Sequence, residues 1–415
     1  MNAPSLRFEG FSDDWKMTLL SDLMSFNNGI NADKDSYGHG RKFINVLDIL
    51  NNNSIKYKDI IGSVSVSQKV EETNKVEYGD LLFLRSSETR EDVGKSSVYL
   101  DKDMFALFGG FVIRGKKHGD YHPYFLKLNL ESPNVRNQIS SKAGGSTRFN
   151  VSQSILSSIE ISIPSQNEQK KIADFISHFD KKIQLQQKKI DLLKEQKKGY
   201  IQKIFNQELR FKDENGQTYN SWKECELKDI GSTFTGLSSK SKEDFGFGDH
   251  SFITYNNVFN NLFASKNGIE KVNVLETENQ ALVQKGDILL TTSSETPREV
   301  GMASLWNHSM EKIHLNSFCF GYRLNQTENI LPEFVAISLR SEYMRKKIVL
   351  LAQGSTRFNM SKTQLMLQTI KIPCVEEQHK IVNFYKTLEQ KLNLAKQQLE
   401  HLKTKKQAFM QQMFI

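Results

Sequence analysis

Two carboxylates stand in a repeated, hydroxyl-rich setting: Ser86-Ser87-Glu88-Thr89 recurs as Ser293-Ser294-Glu295-Thr296. A glutamate among hydroxyls can serve as a general acid, a metal ligand or an acceptor for a base edge. Acid–base or metal chemistry needs a second group in reach, such as another carboxylate or a histidine at ligand spacing. Neither copy has a second carboxylate motif close by, so loop fixing or base contact is the better reading. Arg85 precedes one segment, and Arg90 and Arg298 close the two. Gly145-Ser146-Thr147-Arg148-Phe149-Asn150 likewise recurs as Gly354-Ser355-Thr356-Arg357-Phe358-Asn359. Glycines and small hydroxyls let backbone amides approach phosphate oxygens, and each loop carries an arginine. Near-identity of the two loops suits contacts common to two sites, namely phosphate contacts that position without specifying. The competing reading is conformational: tight turns, with Phe149 and Phe358 filling core.

Other chemistry is hard to find. There is no G-x-x-x-x-G-K-[ST] loop, no G-x-G-x-x-G after a strand and no H-E-x-x-H. An amino-methyltransferase Asn/Asp-Pro-Pro-Tyr/Phe segment is absent too, and Gly246-Phe247-Gly248 reads as a turn. Cys225, Cys319 and Cys374 are isolated, which disfavours zinc and disulfides and suits a reducing cytoplasm. Neither catalytic residues nor metal ligands are expected. Apolar runs such as Ile288-Leu289-Leu290 fall far short of the ~20 residues of a membrane span. The segment Met1 to Phe11 lacks a secretory pattern.

The elements that position these loops are written twice. Trp15, Leu20 and Asp22 recur as Trp222, Leu227 and Asp229, an offset of 207 that also relates Gly79-Asp80-Leu81-Leu82 to Gly286-Asp287-Ile288-Leu289. From the Gly-Ser-Thr-Arg loops onward the offset is 209, relating Pro164 to Pro373 and Phe205 to Phe414. Each half is a mixed segment followed by a long helix. The expected domains are 1–165, the helix 166–206, then 207–373 and the helix 374–415.

Ser165-x-x-Glu168 has the form of a capping box at the start of the first helix. Apolar positions then step by four and three through Ile172, Ile176, Phe179, Ile183, Ile190, Leu193, Tyr200 and Ile204. The second helix repeats the stripe with Ile381, Tyr385, Leu388, Leu392, Ala395, Leu399, Leu402, Phe409 and Met413. Such a stripe is a coiled-coil seam, interrupted only by Gln186, Lys197 and Lys406. An antiparallel pair within one chain, each helix about 60 Å long, closes a pseudo-twofold molecule.

The chain has a net charge of +8 and a pI of about 9.0. Residues 168–206 carry ten lysines against five acids, and residues 376–415 seven against four. The helices therefore hold the whole excess, and any nucleic-acid contact by the mixed segments must use local patches. Candidate contacts are Arg41, Lys42, Arg85, Ser86, Ser87, Arg90, Lys116, Lys117, Ser146, Thr147 and Arg148 in the first copy. In the second they are Lys240, Lys242, Ser293, Ser294, Arg298, Ser355, Thr356 and Arg357. The mixed segments read as α+β, with strands over 42–46, 80–84, 97–100 and 111–114 and helices starting near His122 and Leu331.

The order Leu-Arg-Phe, Trp, Gly-Asp-Leu-Leu-Phe-Leu-Arg-Ser, Gly-Ser-Thr, then Ile-Pro-x-x-x-Glu-Gln-x-x-Ile opening a long helix, present twice, resembles the specificity subunit of type I restriction–modification systems. Its most specific marks are Ile163-Pro164…Glu168-Gln169 and Ile372-Pro373…Glu377-Gln378. The resemblance implies an α+β fold with two target-recognition domains joined by an antiparallel coiled coil. It implies that each domain reads half of a bipartite, asymmetric site in double-stranded DNA, and that the helices dock two methyltransferase subunits, which motor-nuclease subunits join. S-adenosylmethionine, ATP and magnesium would be used by those partners, with no cofactor in this chain. Two alternatives stay open: a DNA-acting enzyme with its catalytic site in the repeated loops, which divalent-ion-dependent activity would reveal, and a protein-only coiled-coil scaffold, which lack of DNA affinity would reveal.

Overall fold

The computed structural model describes residues 3–325 and 328–415, divided into two compact units. The first comprises Met1–Gln187 with Gln397–Ile415, and the second Lys188–Lys396. Both unit boundaries fall inside the long helices, Gln166–Phe205 and Val375–Met413.

In the first unit a five-stranded sheet has the order Met24–Asn28, Val112–Lys117, Leu81–Leu84, Ser96–Tyr99, Ser54–Ile55. The Gly-Asp motif explains its centre. Gly79 takes a left-handed φ of +94°, and the Asp80 carboxylate accepts from the Glu77 and Lys117 amides at 3.0 and 2.9 Å. The next four residues are wholly buried and alternate in direction. Leu81 and Phe83 enter a core with Trp15, Phe125 and Ile172, while Leu82 enters a second core with Ile44, Tyr99 and Phe108. The second unit repeats this: Ile288 and Leu290 face one core, and Leu289 faces another with Trp306. There Asp287 pairs with Arg323 at 2.7 Å. A smaller sheet joins Ser63–Val64, Tyr37–Ile44 and Leu107–Phe108, matched by Ile269–Val272, Phe245–Ile253 and Ile313–Leu315.

The strand expected over 42–46 stops at Ile44. Asn45 caps a short helix, Val46–Asn51, because the Asp48 carboxylate accepts from the Asn45 amide at 2.7 Å. Glu168 also differs from expectation. Both its oxygens accept from Arg7, at 2.8 and 2.7 Å, deep in the unit. Glu377 does the same with Arg210, each contact 2.8 Å, and adds the Trp222 indole at 3.1 Å. The neighbouring glutamines bind backbone. Gln169 accepts from the His122 amide and donates to the Pro164 carbonyl, and Gln378 does so with Leu331 and Pro373.

The long helices run antiparallel in both units. In the first, Lys406 reaches Asp180 at 2.7 Å and Gln186 donates to Gln398 at 3.1 Å. In the second, Lys197 pairs with Glu389. All three polar seam positions thus meet polar partners across the seam. Ile172, Ile176, Ile190, Ile204, Ile381, Tyr385, Leu392, Leu399 and Met413 are buried, and Phe179, Ile183, Leu193, Leu388, Leu402 and Phe409 half-buried. Tyr200 is the exception: it is exposed, touching Phe384 edge-on, and Ile201 is buried instead. An α-helix drifts by ~20° per heptad against a strict seven-residue repeat, which moves the seam by one position here. Phe205 and Phe414 end the helices in equivalent cores, the former against Trp222 and Phe334, the latter against Trp15 and Phe125.

Ile190 is 2 % exposed. Ile190→Asp is expected to cost about 3 kcal/mol or more by burying an unpaired charge, read as a lower thermal midpoint; an unchanged midpoint would remove Ile190 from the seam. Arg210→Ala should cost about 3–5 kcal/mol by stranding Glu377. Adding Glu377→Gln should recover part of that loss in the double variant.

Candidate nucleic-acid interface

The two repeated loops are far apart in sequence and adjacent in space. Ser86 pairs with Asn150 and Ser87 with Phe149 in a short antiparallel ladder, and Ser293 pairs with Asn359 and Ser294 with Phe358 in the second unit. The Ser86 hydroxyl donates to the Asn150 side-chain oxygen at 2.5 Å, and the Asn150 amide group donates to the Arg148 carbonyl at 3.2 Å. Glycine is required at the turn. Gly145 and Gly354 have φ of +116° and +134°, and a Cβ would stand 2.0 Å from the Arg148 carbonyl oxygen or 2.1 Å from that of Arg357.

The loop-fixing carboxylates are not the two singled out from the sequence. Thr89 donates to Asp92 at 2.8 Å, and Thr296 to Glu299 at 2.8 Å. Ser294 reaches Glu299 at 3.1 Å. Glu88 and Glu295 remain exposed. Among the described residues no group of histidine, cysteine, aspartate and glutamate could hold a metal ion.

At the loop tips Ser146, Thr147 and Arg148 are exposed, as are Ser355, Thr356 and Arg357. Phe149 and Phe358 turn inward and pack on the cores, so the turn serves folding and surface presentation together. The Arg357 guanidinium lies 5.6 Å from the Phe318 ring, and Arg90 lies 4.8 Å over Phe149. Beside the first loop pair is an open cavity of about 690 Å³, bordered by Arg85, Lys142, Asn150 and Gln153.

The other cations divide into two groups. Arg41 is held by Glu71 at 2.7 Å and covers Phe105, Lys42 donates to the Ile60 carbonyl at 2.6 Å, and Lys240 is nearly enclosed against Glu278 at 2.6 Å. Arg85 donates to the Gly110 carbonyl at 3.2 Å, Lys116 is 3.4 Å from Glu77, and Lys117 lies 4.9 Å from the Tyr121 ring. Lys116 stays 45% exposed in a surface ion pair, whereas Arg41, Lys42, Lys240 and Arg85 are committed within the fold. Arg340 and Arg345 are more so: each donates to several backbone carbonyls, and burial lowers both to about 10, leaving them cationic at neutral pH. Lys242, Arg298, Arg148 and Arg357 are exposed. Charge clusters in the sequence could not separate these groups, because the partners of Lys42, Arg85, Arg41 and Lys240 lie 18 to 38 residues away.

Two aromatic residues went unnoticed in the sequence. Phe111 and Phe318 occupy equivalent positions and are 62 % and 52 % exposed. Their carbonyls accept from the amides of Arg85 and Thr292, at the base of each first loop, at 3.0 and 2.8 Å. Their recurrence at the 207 offset was the available signal.

The duplicated fold with matching loop pairs defines a two-domain recognition protein. The sequence pattern of the type I restriction modification DNA specificity domain matches residues 12–195 and 219–404, and the chain belongs to that family. A Methanocaldococcus jannaschii chain assigned as the MjaX type I restriction enzyme specificity subunit is 24% identical over 96% of this chain and 92% of its own. The EcoKI specificity subunit of Escherichia coli K12 is 25% identical over 80% of this chain and 74% of its own. A solved S subunit of a type I restriction–modification system from M. genitalium is 16% identical, with a TM-score of 0.54 covering 100% of this chain and 99% of that one. A structure from a study of type I complex assembly reaches 0.61 at 14% identity, covering 95% and 96%. The chain is thus a non-catalytic specificity subunit with two DNA specificity domains, which sets aside the enzyme and protein-only alternatives. No helix among the described residues is long and apolar enough to cross a membrane.

If Arg148 and Arg357 contact phosphates, Arg148→Ala and Arg357→Ala should each weaken binding about equally on cognate and random duplexes. Each should also lower the salt slope by about one unit. Titrations of the intact protein with its native partners at several salt concentrations measure both. An unchanged slope with intact folding would exclude phosphate contact, and a loss confined to cognate DNA would make these arginines base-reading residues.

Proposed function

We propose that the mixed segments 1–165 and 207–373 are target-recognition domains, each reading one half of a bipartite, asymmetric site in double-stranded DNA. One observation carries this reading: the copies share the loop pairs and the sheet that supports them, yet differ most over residues 27–75 and 236–282. Those divergent stretches supply two of the three strands of the smaller sheet of each unit, with separate apolar centres at Phe43, Val64 and Leu107 or at Leu237, Phe252 and Val272. A common frame bearing dissimilar surfaces suits two different half-sites approached through the same backbone contacts.

The helices 166–206 and 374–415 act as the spacer and offer docking surface to two methyltransferase subunits, which motor-nuclease subunits join. Their lysine-rich outer faces are solvated and available. S-adenosylmethionine, ATP and magnesium belong to those partners, and the assembly works in the cytoplasm beside its DNA. The exposed loop arginines position the duplex, and each domain's own surface selects the bases.

Exchanging residues 1–165 for the matching segment of a relative should change one half-site and leave the other intact. Mapping methylated bases across a host genome checks this. A change in both halves, or in neither, would refute independent reading.

A further inference from the structure

A short helix follows the long strand of the smaller sheet in both units, Val46–Asn51 in the first and Tyr255–Asn260 in the second. The flanking positions correspond: Phe43-Ile44 matches Phe252-Ile253, and the capping residue is Asn45 in one and Thr254 in the other. The inward side of the helix is conservative in role. Ile49 and Val258 are buried in equivalent cores. The preceding position differs in role: Asn257 is buried, donating to the Ser265 and Gly268 carbonyls at 2.7 and 2.9 Å, whereas Asp48 in its place is half-buried and accepts from the Asn45 amide.

The outward side is not conservative. Leu47 and Leu50 are 68 % and 41 % exposed, side by side at i and i+3. Their counterparts are Asn256, which is exposed and has no hydrogen-bond partner among the described residues, and Phe259. In the second unit this outward side faces the shared loops. Tyr255 donates through its hydroxyl to the Ser293 carbonyl at 2.7 Å. Asn256, Phe259, Glu295 and Arg357 border one open cavity of about 330 Å³ with Phe318.

We infer that this helix is a base-reading element, and that Leu47 with Leu50 in the first domain and Asn256 in the second determine specificity at one position of each half-site. The argument rests on the two-domain reading above. Folding gains nothing from two exposed leucines, and apolar side chains at a groove edge discriminate by contact with the thymine methyl group. An exposed asparagine whose side chain has no hydrogen-bond partner among the described residues, beside the Arg357 loop, suits bidentate contact with adenine N6 and N7. The neighbouring Asn257 is spent on the backbone, so the pair of asparagines divides structural and recognition work.

The test is genome-wide mapping of methylated bases in hosts carrying the complete system, with wild type, Asn256→Leu, Asn256→Ala and Leu47→Asn. Each variant should relax or change one base position in one half-site only, by about tenfold to a hundredfold in preference, while the other half-site is unaltered. Asn256→Ala removes the contact with the least disturbance, and thermal midpoints of the purified proteins check folding. An unaltered motif in all three variants overturns the inference, as does an equal loss at every sequence, which would make these phosphate or folding residues. A wild-type motif that is not bipartite would instead overturn the two-domain reading itself.

Discussion

A carboxylate buried at the root of each long helix sets the frame on which the rest of each unit hangs. Glu168 and Glu377 are almost wholly enclosed, and a lone buried charge there would be prohibitive. Arg7 and Arg210 make them tolerable with two-pronged contacts, and the hydrogen bonds to the carboxylates hold both guanidinium groups above their ordinary pKa. The next residue, glutamine, ties the same turn to the amide of His122 or Leu331, which opens the earlier helix Pro123–Asn129 or Pro332–Arg340. One turn of helix thereby fixes the Leu-Arg-Phe strap, the proline that precedes the helix and the main domain. The angle at which the helix leaves its domain follows from these bonds, which are directional, more than from the apolar contacts around them, which are not.

Register along the helix pair is set the same way. An apolar seam alone tolerates a slip of a heptad, because leucine and isoleucine repeat along it. Lys197 facing Glu389 and Lys406 facing Asp180 do not tolerate it, since a slip would leave four groups unpaired in half-buried places. The Asp180 site is further specified by Asn53 and by the Tyr124 hydroxyl, which also reach this carboxylate. Buried Lys127, close by, is met by Asn53 and Glu131. Its pKa is lowered by burial and supported by Glu131.

Much of the architecture was legible because it rests on local patterns written twice. The repeat offsets, the 4-3 stripe and the Gly-Asp-Leu-Leu core strand each needed only nearby residues to be recognised. What escaped depended on distant partners. The capping-box reading of Glu168 was chemically reasonable, but Arg7 lies 161 residues away and takes both oxygens. Glu88 and Glu295 stood out by repetition, whereas the loop is fixed by Asp92 and Glu299, whose residue types differ between copies. Arg41 and Lys240 looked like surface cations until Glu71 and Glu278 were seen to hold them.

That sorting changes what the net charge means. The helices carry the chain's entire positive excess, yet part of it is used up in the seam, and in the mixed segments Arg41, Lys42, Lys240 and Arg323 are tied to carboxylates or carbonyls. Exposed lysines and arginines are spread over both domains, and among them Arg148 and Arg357 stand at the tips of the glycine turns. On the proposed reading, cations at equivalent turns of the two domains would position a duplex without specifying its sequence, and their affinity would scale with the number of phosphates neutralised. Selectivity would then fall to neighbouring side chains that folding does not need. In a duplicated fold these are the exposed positions where the two copies differ in chemistry while their buried neighbours keep the same role.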